Sequence, residues 1–312
     1  RASGPPSAAG GSSRSSRSGA AVEMTELPSF GAGPSLAVAA AITGAIQLGG
    51  FALVVAGLRG DFLFDLLGSL NFVAVTVVAL LLGGANGPRA GYLSALVLLS
   101  RAWLGAFLQW RVCSRGSDKR VDDLRKIRWV LALTWTMQAL WVFLLEVPVI
   151  LVSSATASRT PLGAWDAVGV AMFAAGFALQ VAADLQKAGF RADPANKDDF
   201  CQRGLWRFSR HPNFLGEIVL WWGILVASVP VLAEMDSWSW LALCSPLYTM
   251  LLLIFVSGLP FAEGKFLARL YANGRGELWE EYCRTTPPIC MLPCGLYAHM
   301  PSPLRALCCC EF

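Results

Sequence analysis

Charged residues are scarce in this sequence. They make up 15% of the 312 residues, whereas hydrophobic residues make up 55%, and the mean hydropathy is +0.53. A typical soluble domain carries about 25% charged residues. The composition therefore excludes an ordinary soluble fold and predicts an integral membrane protein.

Metal-binding side chains are also few. The sequence contains two histidines, and its nine cysteines include no set at zinc-finger spacing. We therefore expect no metal; a nucleic acid is not expected as a partner either.

Cys308, Cys309 and Cys310 form a cluster near the end of the chain, which favours S-acylation.

Long apolar segments dominate the rest of the chain. A helix needs ~20 apolar residues to cross a bilayer, and a backbone in hydrocarbon must satisfy its own hydrogen bonds. No segment alternates apolar and polar residues as a membrane β-strand does. The predicted fold class is all-α, a polytopic transmembrane helical bundle of about seven spans. The spans are predicted at residues 36–58, 62–83, 91–110, 129–152, 164–183, 214–233 and 238–260.

Three regions follow from this pattern. Residues 1–35 form a disordered or targeting tail, because their Ser-, Gly-, Ala- and Arg-rich composition is typical of both. Residues 36–262 form the transmembrane domain, with cytosolic loops at 111–128 and 184–213. Residues 263–312 form a cytosolic C-terminal segment.

Lysine and arginine are unevenly distributed between the predicted loops. Nineteen lie in the loops near residues 59, 119 and 198 and in the C-terminal segment, and five lie on the opposite side. Loops rich in Lys and Arg stay in the cytosol. We therefore expect these basic segments to meet on one cytosolic face.

The end of the fifth predicted span carries three charges at helical spacing. Asp184 and Lys187 are three residues apart and Arg191 follows four later, so a continuing helix places them along one face. Asp184 suits a ribose hydroxyl or an arginine, and the two cations suit phosphates. Taken alone, the same spacing also fits an ion network at a helix end. Asn196 lies in the same predicted cytosolic loop.

Residues 204–217 place polar side chains directly against the sixth span. Trp206 offers a flat surface to an aromatic ring, and Arg210 offers a bidentate phosphate donor. His211, Asn213 and Glu217 add directional hydrogen bonds near a helix start that favours anions. This set predicts a site for a phosphate-bearing ligand at the membrane surface.

Two of the charges inside predicted spans lie away from the span ends. Arg101 is in the third and Glu146 in the fourth. Because a charge near mid-bilayer costs at least ~2.5 kcal/mol, each is expected to face the bundle interior, where the two are able to pair. A structural pair and a catalytic or substrate role are both open.

The sequence resembles a family of multi-pass membrane proteins similar to the C-terminal domain of steroid 5α-reductases. The resemblance covers roughly residues 90–294 and includes the Ser-Arg-His-Pro-Asn motif at 209–213. The other blocks that carry it are 116–120, 138–141 with Pro148, 183–186, 204–208, 214–217, 221–223 and 257–263.

The resemblance implies a cofactor and a reaction. Relatives in the wider superfamily use NADPH to reduce a carbon–carbon double bond in a lipid, with the cofactor in a cytosol-facing cavity. By similarity, the residues expected to line the NADPH pocket are Asp184, Lys187, Arg191, Asn196, Trp206, Arg210, His211, Asn213 and Tyr282. Glu217 is added on its place in the motif, and Arg111, Asp118 and Arg120 are weaker candidates.

Two positions depart from the family pattern. Phe214 stands where Tyr is usual, and Gln180 stands where many relatives carry Glu. Both changes remove a possible proton donor, so we assign that role to Glu146 or Tyr92.

Our leading hypothesis is an NADPH-dependent reductase of a sterol-like or other isoprenoid lipid. Two alternatives stay open. Isoprenylcysteine and phospholipid methyltransferases share a related His-Pro core and use S-adenosylmethionine, and a non-enzymatic lipid-binding relative would explain Phe214 and Gln180. The endoplasmic reticulum is the default membrane for relatives, while the Arg- and Ser-rich tail keeps a plastid or mitochondrial membrane open.

Overall fold

The computed structural model describes residues 31–84, 87–115, 127–156, 158, 160–196, 199–235 and 238–309. Most of the predicted tail lies outside these residues. So do the weaker cofactor candidates Asp118 and Arg120, and Cys310 of the cysteine cluster.

Within the described residues the chain is helical and contains no strand, which confirms the all-α class. Seven segments are long and apolar enough to cross a membrane. The first six are α1 (Ala32–Val55), α2 (Gly60–Gly83), α3 (Pro88–Arg115), α4 (Arg128–Ser154), α5 (Ala164–Ala192) and α6 (Pro212–Leu232). The seventh is continuous from Ser239 to Val256 and consists of a 3-10 turn (Ser239–Leu243), α7 (Cys244–Leu251) and a π-helical turn (Leu252–Val256).

The core lies around α4 and α6, which are the most enclosed spans. Every residue of α4 from Leu145 to Ser154 is buried, as expected of a helix that is apolar on all sides. Trp221 of α6 is fully buried against Phe72 of α2. The outer spans leave large apolar side chains exposed, which suits a surface that faces lipid.

Glycines bring α5 and α6 into backbone contact. A Cβ atom added to Gly176 of α5 would lie 2.6 Å from the carbonyl oxygen of Gly216 in α6. One added to Gly223 of α6 would lie 2.6 Å from the carbonyl oxygen of Gly169 in α5. Small residues permit such close packing between membrane helices. The contact places the end of α5 directly beside the start of α6.

The helix ends explain where the site forms. α5 runs to Ala192, nine residues beyond its predicted end, because charged residues leave the membrane without breaking a helix and only Pro194 ends it. Asp184, Lys187 and Arg191 are therefore helical rather than part of a loop. α6 begins at Pro212, a residue type that suits the first position of a helix.

Four shorter helices follow the seventh span: α8 (Leu259–Ala272), α9 (Gly276–Thr285), α10 (Cys294–Ala298) and α11 (Ser302–Cys309). They begin after a bend at Ser257 and Gly258. The backbone of residues 287–292 pairs with the segment that enters α6: Arg210 N donates to Pro287 O at 2.8 Å, and Leu292 N donates to Phe208 O at 3.1 Å. The C-terminal segment thus covers the start of α6.

Candidate functional site

A cleft of about 40 Å³ lies at the junction of α5, the segment before α6, and the C-terminal helices. Its lining is aromatic and charged in similar measure. The lining residues are Lys187, Arg191, Phe200, Cys201, Trp206, Arg210, His211, Ala262, Glu263, Trp279 and Tyr282.

Trp206 forms the floor of the cleft. It lies in a 3-10 turn (Gly204–Arg207), and its indole Nε1 donates to the carbonyl of Ala183 in α5 at 3.0 Å. The Lys187 ammonium lies over the indole, 4.1 Å from the ring centroid. An ammonium over an aromatic face is held by the ring quadrupole, so the Lys187 nitrogen has a defined place in the cleft.

Arg210 is buried beside an acid and a thiol. Its Nη1 lies 3.3 Å from Glu263 Oε2 and 2.7 Å from the sulfur of Cys283 in α9. Together with the backbone bond to Pro287, these contacts fix the guanidinium between α6 and the C-terminal segment.

His211 is buried and neutral. Burial lowers its pKa to about 4, although the hydrogen bond with Glu263 acts in the opposite direction. Its Nε2 lies 2.9 Å from Glu263 Oε1, so the carboxylate accepts the single ring proton. Nδ1 is then an acceptor, and it has no hydrogen-bond partner among the described residues.

Glu263 supplies the negative charge of the cleft. Burial raises the pKa of Glu263. The His211 hydrogen bond and the charges of Arg210 and Lys187 together lower it by more, so the pKa of this carboxyl lies below its usual value. The sequence places Glu263 near this face without giving it a role. The structure makes it the partner of both Arg210 and His211.

Tyr282 closes the cleft from the side of α9. Its hydroxyl donates to the Trp206 carbonyl, and its ring packs against Phe200 and Trp279. Burial raises the pKa of the phenol. Because the hydroxyl is already engaged, Tyr282 contributes a wall rather than an open donor.

Asn196 has a structural contact outside the cleft lining. Its amide Nδ2 donates to the carbonyl of Phe190 at 3.0 Å and so binds the last turn of α5.

The remaining motif residues lie deeper, in a polar row between α5 and α6. Asn213 Nδ2 donates to Asp184 Oδ1 at 3.3 Å. One helical turn further in, Gln180 Nε2 donates to Glu217 Oε2 at 2.8 Å. Glu217 also pairs with Arg101 of α3, whose Nη2 lies 2.9 Å from Oε1.

The two proton-donor candidates lie apart from the cleft lining. Tyr92 lies near the start of α3 and donates to Asp166 at the start of α5, where Arg89 also pairs with Asp166. The helix directions place this cluster at the end of the bundle opposite the cleft. Glu146 is fully buried in α4 and accepts from Thr76 Oγ1 at 2.7 Å.

Six of the predicted cofactor residues therefore share one cleft, and three others form the row beneath it. Phe200, Cys201 and Trp279 are lining residues that the sequence analysis did not single out. Trp279 had a signal, because it lies three residues before Tyr282 and shares its helix face. Phe200 and Cys201 had none, since the turn that places them depends on contacts with α9.

Among the described residues, no group of three or more His, Cys, Asp and Glu side chains is placed to hold a metal ion. A family model described as a protein of unknown function (DUF1295) matches residues 51–286. No curated protein and no solved structure matches the chain.

Proposed function

The chain belongs to the DUF1295 family, and we propose that it is a membrane reductase that binds NADPH in the cleft at the start of α6. The substrate in this proposal is a sterol-like or other isoprenoid lipid with a carbon–carbon double bond. One observation carries the proposal: Lys187, Arg191 and Arg210 converge on one aromatic-lined cleft at a helix N-terminus.

The charges of the cleft suit a dinucleotide phosphate. Arginine binds phosphate through a planar fork and lysine as a point charge. The N-terminus of α6 adds a partial positive charge at the same place. Glu263 offsets part of this charge but lies against Arg210 and His211, so Lys187 and Arg191 define the cationic side of the cleft.

His211 has a different role from the cations. As a neutral ring with its proton directed at Glu263, it offers only the Nδ1 acceptor to a ligand. It therefore binds a hydrogen-bond donor, such as an amide or hydroxyl, and not a phosphate. Glu263 acts by holding this tautomer.

The size of the cleft sets a condition. Its volume is about 40 Å³, whereas sites for small-molecule ligands measure ~300–1,000 Å³. A dinucleotide fits only after residues 287–292 and α9 move away from the segment that enters α6. Such a movement breaks the backbone hydrogen bonds of Arg210 and Leu292 and also the bonds that the Ser209 and Tyr282 hydroxyls donate across the same boundary.

Bound NADPH would supply the hydride for the reduction. The apolar walls of the bundle would exclude water from the reacting carbons. Glu146 stays our candidate for the proton donor within the membrane, because it is fully buried. In this role the carboxylate would first take up a proton. Tyr92 is the weaker candidate, since its hydroxyl is engaged by Asp166.

The test is a titration of purified protein in lipid nanodiscs with NADPH and, separately, with S-adenosylmethionine. Lys187→Met keeps the apolar stem over Trp206 and removes the charge. We expect it to weaken NADPH binding about tenfold or more, as for the loss of a charged hydrogen bond. Arg284→Ala is the matched control, because Arg284 is exposed on α9. Binding of S-adenosylmethionine alone would select the methyltransferase, and binding of neither would select the non-enzymatic relative.

A further inference from the structure

A second polar site lies in the middle of the bundle, away from the cleft. We propose that Arg101 and Glu146 together bind an uncharged hydroxyl group inside the membrane. This proposal does not rest on the identity of the ligand in the cleft.

One guanidinium nitrogen of Arg101 has no hydrogen-bond partner among the described residues. The side chain is 1% exposed, and Nη2 is held by Glu217. Nη1 is buried and has no hydrogen-bond partner among the described residues. Since buried polar atoms are nearly always hydrogen-bonded, this N–H donor indicates a missing acceptor.

One carboxyl oxygen of Glu146 also has no hydrogen-bond partner among the described residues. Thr76 donates to Oε1 at 2.7 Å, and Oε2 is buried without a partner among the described residues. An acid at this depth is costly unless it is paired. Oε2 therefore indicates a missing donor.

Both side chains contact the same stretch of α2. Phe72 and Thr76 are one turn apart on α2, about 6 Å along the helix axis. Phe72 lies 5.2 Å from the Arg101 guanidinium, and Thr76 contacts Glu146.

Aromatic side chains surround the Arg101 guanidinium. The Arg101 guanidinium lies 5.2 Å from the Phe72 and Trp221 ring centroids and 5.9 Å from that of Trp141. Such walls accommodate an apolar body next to the polar atoms.

The missing partners define the ligand chemistry. The group must accept from Arg101 Nη1 and donate to Glu146 Oε2. A hydroxyl does both, whereas a ketone or an ether oxygen only accepts. A phosphate or carboxylate is disfavoured because Glu217 already neutralises Arg101. The occupant is therefore the hydroxyl of a lipid alcohol or a water molecule.

The experiment measures binding of radiolabelled farnesol and of farnesyl methyl ether to the protein in nanodiscs. The ether keeps the acceptor and loses the donor. We expect the wild-type protein to prefer the alcohol about tenfold, the effect of one hydrogen bond to a charged group. Glu146→Leu should abolish the preference, Glu146→Gln should retain part of it, and the exposed control Glu277→Gln should leave it unchanged.

Equal binding of alcohol and ether leads to the second arm, a density map of the protein without added lipid. A water within hydrogen-bond distance of both Arg101 Nη1 and Glu146 Oε2 supports the site with water as its occupant. Equal binding together with no oxygen between these atoms overturns the proposal, as does a preference that persists in Glu146→Leu. NADPH binding is measured on the same samples, so a failure of this proposal is separable from a failure of the cleft proposal.

Discussion

Among single residues, His211 and Glu263 determine the electrostatics of the cleft. Burial keeps the imidazole neutral, whereas the His211 hydrogen bond and the charge of Arg210 keep the Glu263 carboxylate charged. A neutral histidine adds no positive charge, so the composition of the motif alone overstates the positive charge of the cleft. The tautomer of His211 is set by Glu263, 52 residues away in the sequence.

The low pKa of His211 predicts acid sensitivity. Its pKa is about 4 in the folded protein against 6.5 for the free side chain, so between these values only the unfolded chain takes up the proton. Stability is therefore independent of this group above pH 6.5 and falls as the pH drops towards 4. Between pH 7 and 5 the loss is about 2 kcal/mol.

Thermal unfolding of the wild type and of His211→Gln over this pH range checks the expectation. Glutamine keeps a donor for Glu263 and does not titrate, so its unfolding temperature should fall less. Glu263 also loses its stabilising contribution on acidification, but only at lower pH, because its folded pKa is depressed. Equal acid sensitivity in the two proteins would contradict the assignment.

The Arg101–Glu217 pair predicts strong coupling. Glu217→Met leaves the Arg101 charge buried and uncompensated, which costs about 3–5 kcal/mol. Arg101→Met/Glu217→Met removes both charges and should be far more stable than Glu217→Met. A double-mutant cycle from unfolding temperatures measures the coupling. If the losses of stability in the two single variants simply add, the pair does not stabilise the protein as the contact suggests.

At the scale of elements, the packing of α5 on α6 positions the site. The glycines at 169, 176, 216 and 223 bring the two backbones together, and the same contact aligns Asp184 with Asn213 and Gln180 with Glu217. The polar row is thus a consequence of helix packing rather than of the motif alone.

Substitution of Gly176 tests this contact. A Cβ at this position lies 2.6 Å from backbone atoms of α6 that cannot yield. We expect Gly176→Ala to lower the unfolding temperature and to weaken NADPH binding, because it separates the two helices. Gly189→Ala on the same helix is the matched control: its Cβ meets nothing within 4 Å, and alanine should be neutral or stabilising by up to ~1 kcal/mol. Equal effects of the two substitutions would contradict the proposal that close packing of α5 on α6 positions the site.

The spans and their order could be predicted from the sequence because hydropathy and length determine them. The α5 helix continues beyond the predicted span, since hydropathy marks where a helix leaves the membrane and not where it stops. The pairing of Arg101 with Glu217 was not predicted, because helix positions alone leave several partners within reach. Glu263 could not be assigned a role before the fold of the C-terminal segment was known.

For the whole molecule, the basic residues predict an orientation. The cleft and α9 should face the cytosol, while Ser158 in the connection from α4 to α5 should lie on the opposite side. Single cysteines at Glu277 and Ser158 in a cysteine-free variant test this in sealed microsomes. An impermeant maleimide should label position 277 directly and position 158 only after permeabilisation. The reverse pattern would contradict the orientation.

The most direct test of the central claim is native mass spectrometry of the natively purified protein. Our account predicts a species that carries one NADPH in the wild type and loses it in Lys187→Met but not in Arg284→Ala. A wild-type protein that carries S-adenosylmethionine, or that binds no nucleotide when NADPH is added in excess, would contradict it.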